Sequence, residues 1–210
     1  MLEHVPSWLG TLMRNFRAGH DKLVVAHRGI ALAEERIELT SPAFKDGQRL
    51  PTRFTADGDG ISPPLMWGDV PVGTRSLVLI VEDPDAPTPN PLVHAVVLNI
   101  PTDQRNLREG AIVADEHERG GSQSIGRNSY FSESWLPPDP PTGHGEHDYV
   151  FQLFALDVVP EIGPNSGRGD VVAAIAGHVL GTGLLVGTYS RDASELSQAA
   201  NGEAAISPAA

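Results

Sequence analysis

Two short stretches of the sequence concentrate residues that could bind an anion. The first, Val81 to Asn90, reads VEDPDAPTPN and sets Asp83 and Asp85 two positions apart at the end of an apolar run. Because side chains alternate along a strand, both carboxylates would project to the same side where the strand ends. Pro84 and Pro87 restrict the backbone of the loop that follows. We therefore expect this loop to form one rigid wall of a small binding pocket.

The second stretch, Gly143 to Phe151, reads GHGEHDYVF and combines histidine, tyrosine and glycine. His147 and Tyr149 share one face of a strand, since the side-chain period is two. An imidazolium, a phenol hydroxyl and glycine backbone N–H groups are the donors that hold a phosphate or carboxylate oxygen. Gly143 and Gly145 would let the backbone approach such an anion closely. This stretch is predicted to be the second wall.

A histidine in the strand that follows the first stretch could join the same pocket. His94 lies near the start of the apolar run Leu92 to Ile100, and the short connection before it predicts a hairpin that brings it near the mouth of the loop. A metal site is an alternative, since His144 and His147 are three positions apart and Asp148 follows. Side chains three apart on a strand-entry loop point to opposite faces, so we predict neither a metal ion nor another cofactor.

The composition excludes several classes of function. The 210 residues include 15 Lys and Arg against 27 Asp and Glu, and the formal net charge of -12 disfavours nucleic-acid binding. Cysteine is absent, which removes disulfides, thiolate nucleophiles and cysteine metal sites. No apolar run approaches the roughly 20 residues that span a bilayer, and the N-terminus lacks the pattern of a signal peptide. We expect a soluble, cytoplasmic protein.

Short apolar segments separated by proline and glycine predict a mainly β fold, a two-sheet antiparallel β-sandwich with a few peripheral helices. The strongest predicted strands are Ser76–Glu82, Leu92–Ile100, Tyr149–Leu156 and Leu184–Tyr189, with Arg36–Thr40 and Arg53–Thr55 as weaker ones. Within the main domain, a helix capped by Asp170 is predicted to run to about Val179 and to stop at Gly181.

Three segments of the chain differ in pattern. Residues 1–33 form a predicted N-terminal extension with an amphipathic helix from Pro6 to Ala18, whose apolar positions are Trp8, Leu9, Leu12 and Phe16. That stripe is expected to pack on its own domain or on a second subunit, with a membrane surface as the less favoured alternative because few cations accompany it. Residues 34–192 form the predicted main domain, and 193–210 form a tail expected to be flexible.

These motifs, in this order, resemble the phosphatidylethanolamine-binding protein family, in particular its bacterial branch known as Raf kinase inhibitor-like proteins. The resemblance covers about Arg36 to Arg191 and rests on FTADGDGISPPLMW, DPDAP, HAVVLNIP, PPTGHGEHDYVF and HVLGTGLLVGTYSR. It implies a β-sandwich with a shallow pocket at one end for phosphate-type head groups or related anions. The residues that would line the pocket by motif position are Asp83, Asp85, Pro87, His94, Pro141, Gly145, His147 and Tyr149. The acids would orient the two histidines, and the donors would hold the anionic oxygen.

The sequence departs from the family pattern at two positions near this pocket. Ala95 stands where the family usually has tryptophan, and Asp148 stands where it usually has arginine. An aspartate in place of an arginine lowers the positive charge at the pocket entrance, and with it the expected affinity for doubly charged anions. The segment from Ala114 to Trp135 lies outside the clear resemblance and is expected to shape the pocket rim.

The function expected from these observations is non-catalytic binding of a small anionic ligand: phosphate, a phosphorylated or phospholipid head group, or a carboxylate. The protein would act as a regulator of a protein partner, and as a homodimer, since bacterial members of the family are described as dimers. One alternative is a hydrolase-like enzyme that uses His94, His147 and Asp83 for acid–base chemistry. Another is an inhibitor of a kinase or protease that acts through its surface.

Overall fold

The computed structural model of the chain describes residues 7–30, 33, 35–113, 123–163 and 165–191. Within these residues it contains two α-helices, ten strands and three short 3₁₀ turns. The helices are α1 (Ser7–Met13) and α2 (Arg168–Ile175), and the 3₁₀ turns are His20–Lys22, Val24–Ala26 and Thr52–Phe54. The strands are β1 (Glu35–Arg36), β2 (Leu39–Thr40), β3 (Gln48–Arg49), β4 (Leu65–Trp67), β5 (Ser76–Asp83), β6 (Leu92–Ile100), β7 (Asn106–Leu107), β8 (Ser124–Ile125), β9 (His147–Leu156) and β10 (Val179–Tyr189).

The strands form two sheets, as the sequence predicts. The larger sheet has the order β1-β10-β9-β5-β6-β8, with β3 also pairing with β10, and the smaller sheet has the order β2-β4-β7. All of the long strands pair antiparallel, whereas β1 and β3 add to β10 in parallel. The mainly β, two-sheet prediction is therefore confirmed, with two short parallel additions at one edge.

Strand β5 is buried on both faces, which explains why its sequence is apolar without interruption. On one face, Leu79 and Val81 belong to the core that includes Trp67 of the smaller sheet. On the other face, Ile80 belongs to a second core that includes Ile175 of α2. A strand between two apolar layers has no solvent-facing positions, so its apolar run continues to the acidic end at Asp83, beside the candidate site.

Helix α1 is shorter than predicted and turns a different face to the protein. It ends at Met13 instead of Ala18. Trp8, Leu12 and Phe16 are 67%, 74% and 55% exposed, so this stripe does not pack on its own domain. The buried face is the one with Gly10, where any side chain would strike the carbonyl of Thr142. A spacing of four indicates a common face but does not say which face the protein covers.

Two predicted elements near the C-terminus have different bounds. Helix α2 begins two residues before Asp170, which lies in the first turn and accepts a hydrogen bond from the N–H of Gly167 at 3.0 Å. It ends at Ile175, and Gly177, at φ 82°, permits the turn into β10. Strand β10 starts at Val179 and therefore contains Gly181, where a Cβ would come within 2.7 Å of a ring carbon of Pro71. That glycine permits close packing within a strand and does not stop a helix.

The remaining predictions concern a weak strand, the C-terminal tail, the segment without clear resemblance and membrane spans. The predicted weak strand Arg53–Thr55 is wrong: Thr52–Phe54 is a 3₁₀ turn, in which the N–H of Phe54 donates to the carbonyl of Pro51. The predicted tail, residues 193–210, lies outside the described residues, as do residues 114–122 of the segment without clear resemblance. In the part of the chain that the structure describes, no helix has the length and apolar character that a membrane span requires.

Candidate functional site

A cavity of about 450 Å³ opens where β5 ends, β6 starts and β9 starts. This volume lies in the range typical of small-molecule sites. The lining residues are Ala56, Asp83, Ala86, Pro87, Thr88, Leu92, His94, Tyr130, Leu136, Pro137, Asp139, Pro140, Pro141, His147 and Tyr149. Six of the eight residues singled out from the sequence are among them: Asp83, Pro87, His94, Pro141, His147 and Tyr149. Asp85 and Gly145 are not, and their positions are described below.

Asp83 fixes the geometry of the cavity wall at the end of β5. Its Oδ1 accepts the N–H of Asp85 at 2.8 Å, which holds the tight turn of the first stretch. Its Oδ2 lies 2.8 Å from Nδ1 of His147, and both side chains are almost fully buried. One of the two acids therefore orients one of the two histidines, as expected from the sequence.

A second histidine connects His147 to the N-terminal segment. Nε2 of His147 lies 2.7 Å from Nδ1 of His144, and Nε2 of His144 lies 2.9 Å from the carbonyl oxygen of Met13. We predicted that His144 and His147 would point to opposite faces, and this is wrong, because the turn at Gly145, with φ 105°, brings the two rings together. Both ring nitrogens of His147 are thus occupied by protein groups.

The proton positions in this chain of hydrogen bonds follow from the acceptor at its end. A carbonyl oxygen only accepts, so His144 carries its hydrogen on Nε2. Burial, with the charge of His147 beside it, lowers the pKa of His144 and keeps that ring neutral, so its Nδ1 accepts. His147 therefore donates from Nε2, and one further proton lies between its Nδ1 and Asp83. The donor groups of His147 point into the protein and not at a ligand.

His94 is held by a backbone carbonyl and not by an acid. Its Nδ1 lies 2.6 Å from the carbonyl oxygen of Leu136, so Nδ1 carries the hydrogen. The ring stands edge-on to Tyr149, with centroids 5.0 Å apart, and lies 6.0 Å from the ring of Trp135. Burial lowers the pKa of His94 below its ordinary value, although the charge of Asp83 acts in the opposite direction. Nε2 of this neutral ring is an acceptor, which corrects the expectation that an acid orients His94.

Tyr149 supplies a hydroxyl donor to the cavity. Burial, together with the negative charge of Asp83, raises the pKa of Tyr149 well above its ordinary value. The phenol therefore keeps its proton throughout the neutral range and can donate to a ligand oxygen. That Tyr149 holds a ligand oxygen stays a prediction.

Asp85 binds an arginine that the sequence did not reveal as part of this region. Nη1 of Arg17 lies 2.5 Å from Oδ1 of Asp85, and the same nitrogen donates to the carbonyl of Glu146 at 3.0 Å. Oδ2 of Asp85 accepts the N–H of Asp148 at 2.8 Å. Arg17 also lies beside Gly145, where a Cβ would make ordinary contact with it at 3.5 Å, and the φ of 105° is what favours glycine at this position. Asp85 and Gly145 thus connect the N-terminal segment to the outer side of the site.

Asp148, at the position where the family usually has arginine, lies beside this ion pair and outside the cavity lining. Burial, followed by the charge of Asp85, raises the pKa of Asp148 above its ordinary value. His20 contributes a third possible ligand atom, and the three groups come within 4.8 Å of one another. Because Arg17 already supplies positive charge to Asp85, we assign no metal ion to this cluster.

Arg191 holds the part of the cavity wall that contains Asp139 and Pro140. It donates to both carboxylate oxygens of Asp57 at 2.6 to 2.9 Å, to Asp139, and to the carbonyl of Pro140 at 3.2 Å. Burial lowers the pKa of Arg191, but the hydrogen bonds to these carboxylates outweigh it and raise the pKa above the ordinary value. Asp139 and Pro140 both line the cavity. A single buried guanidinium therefore holds the proline-rich loop in place.

Three comparisons identify proteins of similar sequence and structure. The family model described as phosphatidylethanolamine-binding protein matches residues 40–190. A UPF0098 protein of Methanothermobacter thermautotrophicus is 42% identical over 155 residues, which cover 74% of this chain and 99% of the relative. The crystal structure of a phosphatidylethanolamine-binding protein homologue of Chlamydia trachomatis has a TM-score of 0.67 and 36% identity, covering 76% of this chain and all of that one.

A third similar protein is YbcL of Escherichia coli, described as a member of the mammalian PEBP family. It has a TM-score of 0.69 and 29% identity, and covers 74% of this chain and 98% of that one. The match of the family model extends over most of the described strands, from β2 to β10, and includes every residue of the cavity lining. The chain therefore belongs to the phosphatidylethanolamine-binding protein family.

Proposed function

We propose that the chain is a non-catalytic protein that binds a small anionic ligand, such as phosphate, a phosphorylated head group or a carboxylate, in this cavity. The observation that carries the proposal is the pairing of a protonated phenol, Tyr149, with a buried imidazole nitrogen of His94 that has no hydrogen-bond partner among the described residues, in the wall of a cavity of ligand size. The family name supports a phospholipid head group as one form of this ligand.

The alternative of an enzyme is less favoured by the hydrogen bonds around His147. A general acid or base needs a nitrogen within reach of the substrate. Both nitrogens of His147 are occupied, one by Asp83 and the other by His144. Nε2 of His94 is the one imidazole nitrogen among the described lining residues without a protein partner, so His94 and His147 do not together offer the acid and base pair that this alternative requires.

Calorimetric titration of the purified protein with phosphate, phosphoethanolamine and acetate at low salt tests the proposal. We expect saturable heat from the wild type and its loss in His147→Ala, since removing this ring leaves Asp83 without its partner at the cavity wall. His178→Ala is the matched control, because His178 is half-exposed and bonded to Asp157, which is not a lining residue. No heat from any of the anions would contradict the proposal, whereas heat that survives His147→Ala would show that the Asp83–His147 pair is not needed to hold the cavity wall.

The same variant separates the two alternatives. An enzyme that used this cavity would lose turnover of an ester or phosphoester in His147→Ala. An inhibitor of a kinase or protease that acted through its surface would keep its inhibition in this variant. We propose that a protein partner recognises the ligand-bound form and that the protein resides in the cytoplasm. Pull-down from fractionated native cells tests both statements.

We propose further that the protein is a homodimer, because Trp8, Leu12 and Phe16 form an exposed apolar stripe on and just after α1. Light scattering is expected to give twice the mass of one chain for the wild type and the mass of one chain for Leu12→Glu. Val72→Glu is the control, since Val72 is equally apolar and fully exposed in a different part of the chain. A wild-type protein that is monomeric, or a Leu12→Glu variant that remains dimeric, would contradict this interface.

A further inference from the structure

His94, in the cavity lining, has a buried hydrogen-bond acceptor for which the described residues supply no donor. Nδ1 of His94 donates to the carbonyl of Leu136, and Nε2 is buried with no hydrogen-bond partner among the described residues. A buried acceptor that has given up water and gained no donor destabilises the protein that holds it. A ligand that brings an N–H or O–H group to this nitrogen removes that cost.

Burial lowers the pKa of His94 and keeps the ring an acceptor, although charged groups face it from two strands and a loop. Asp83 at the end of β5 favours the protonated ring, whereas burial and His147 on β9 oppose it, and the balance lies with the neutral ring. Asp139, from the loop before β9, also faces it but contributes less. The ring neighbours Tyr149 and Trp135 carry no charge.

The lining offers little positive charge to a ligand. None of the lining residues is lysine or arginine, and the two carboxylates among them, Asp83 and Asp139, are already bonded to His147 and Arg191. Two negative charges on a ligand would therefore be placed near two carboxylates without a free cation. A single negative charge is the most that this lining accommodates well.

We propose that the cavity selects phosphate monoesters in their singly protonated form, with the P–OH group donating to Nε2 of His94 and another oxygen accepting from the hydroxyl of Tyr149. This inference rests on the proposed function and specifies its ligand class. A diester has the same single charge but no P–OH hydrogen, so it leaves the acceptor without a donor. A monoester dianion binds only after taking up one proton from solution.

Methyl phosphate and dimethyl phosphate, titrated calorimetrically into the native protein, test the proposal. At pH 5.5 both are mainly monoanions of similar size. We expect methyl phosphate to bind at least about tenfold more tightly, the factor that one hydrogen bond supplies. Above the second pKa of the phosphate, about 6, its affinity should fall about tenfold per pH unit as the monoanion disappears. The affinity of dimethyl phosphate should not change with pH.

The outcomes separate failure of this inference from failure of the proposed function. Equal binding of the two phosphates overturns the selection and leaves an anion pocket. A pH slope shared by both phosphates also overturns it, because the titrating group would then belong to the protein. Binding of neither phosphate overturns the selection, and the absence of acetate binding as well overturns the proposed function. His94→Gln, whose amide can donate as well as accept, is expected to reduce the preference for the monoester.

Sedimentation with lipid vesicles distinguishes a lipid head group from a soluble monoester. Phosphatidic acid is a monoester and phosphatidylcholine is a diester. Binding only to vesicles that contain phosphatidic acid supports a lipid source, and binding of methyl phosphate without any vesicle binding supports a soluble one. Equal binding to vesicles of pure phosphatidylcholine overturns the selection for monoesters.

Discussion

Replacing Arg191 by methionine is expected to lower the free energy of unfolding by about 3 kcal/mol, the cost typical of removing one partner from a buried ion pair. Arg191 is almost fully buried and is hydrogen-bonded to both Asp57 and Asp139. Methionine has a similar volume but leaves the two carboxylates close together without a cation. Urea unfolding followed by circular dichroism measures the loss.

Arg191→Lys is the matched control, since lysine keeps the charge but lacks the planar set of N–H groups through which the guanidinium bonds to both Asp57 and Asp139. We expect its loss of stability to be smaller.

Acid pH provides a second check of the ion-pair explanation. Burial raises the pKa of Asp57, but Arg191 and Tyr189 outweigh it, and the pKa lies below the ordinary value. The stability contributed by Asp57 is thus present above the ordinary pKa of about 3.9 and is lost as pH falls through the folded pKa. The gap between wild type and Arg191→Met should therefore narrow in acid, and a constant gap would contradict the ion-pair explanation.

Tyr149→Phe is expected to weaken phosphate binding by about tenfold to a hundredfold, since a hydrogen bond to a charged group contributes about 1.5–3 kcal/mol. The ring remains to pack edge-on against His94, so the change removes the donor alone. Isothermal titration at pH 6 measures the affinity, and thermal unfolding checks that the variant is as stable as the wild type.

Tyr189→Phe tests whether the effect is specific to the cavity. The Tyr189 hydroxyl donates to Asp57 at 2.8 Å, and Tyr189 is not a lining residue. We expect this variant to lose stability but to keep its affinity for phosphate. If both tyrosine variants lost affinity equally, the hydroxyl of Tyr149 would not be a ligand contact.

The central strands were predictable because their sequence pattern and their environment agree. Runs of valine, leucine and isoleucine bounded by proline identify β5 and β6, whose two faces are buried in separate cores. Only the second half of β10 was predicted, because the sequence pattern around Gly181 indicates the end of a helix. In the fold, Gly181 lies within the strand and permits close packing. The buried face of α1 was not predictable, because it is selected by Thr142, far away in the sequence.

The site was predictable where a side chain carries the chemistry, and not where a backbone atom or a distant segment does. Asp83, His147 and Tyr149 follow from the alternation of side chains on strands that adjoin in the sheet. The carbonyl of Leu136, which fixes the tautomer of His94, leaves no sequence signal, because every residue has a carbonyl. Arg17 belongs to a segment without clear family resemblance, and its contact with Asp85 depends on the path of that segment.

The order of the strands constrains how the chain can fold during synthesis. Strands β1 and β3, made early, pair with β10, which is almost the last part of the described chain to be made. The N-terminal segment also cannot form its contacts until later residues have been made, because Met13 bonds to His144 and Val25 bonds to Gln152. Strand β5 can pair with β6 as soon as both have left the ribosome, but its other edge stays open until β9 follows. The nascent protein therefore carries an unpaired apolar strand edge through much of its translation, which makes the interval before β9 emerges the period of greatest risk of aggregation.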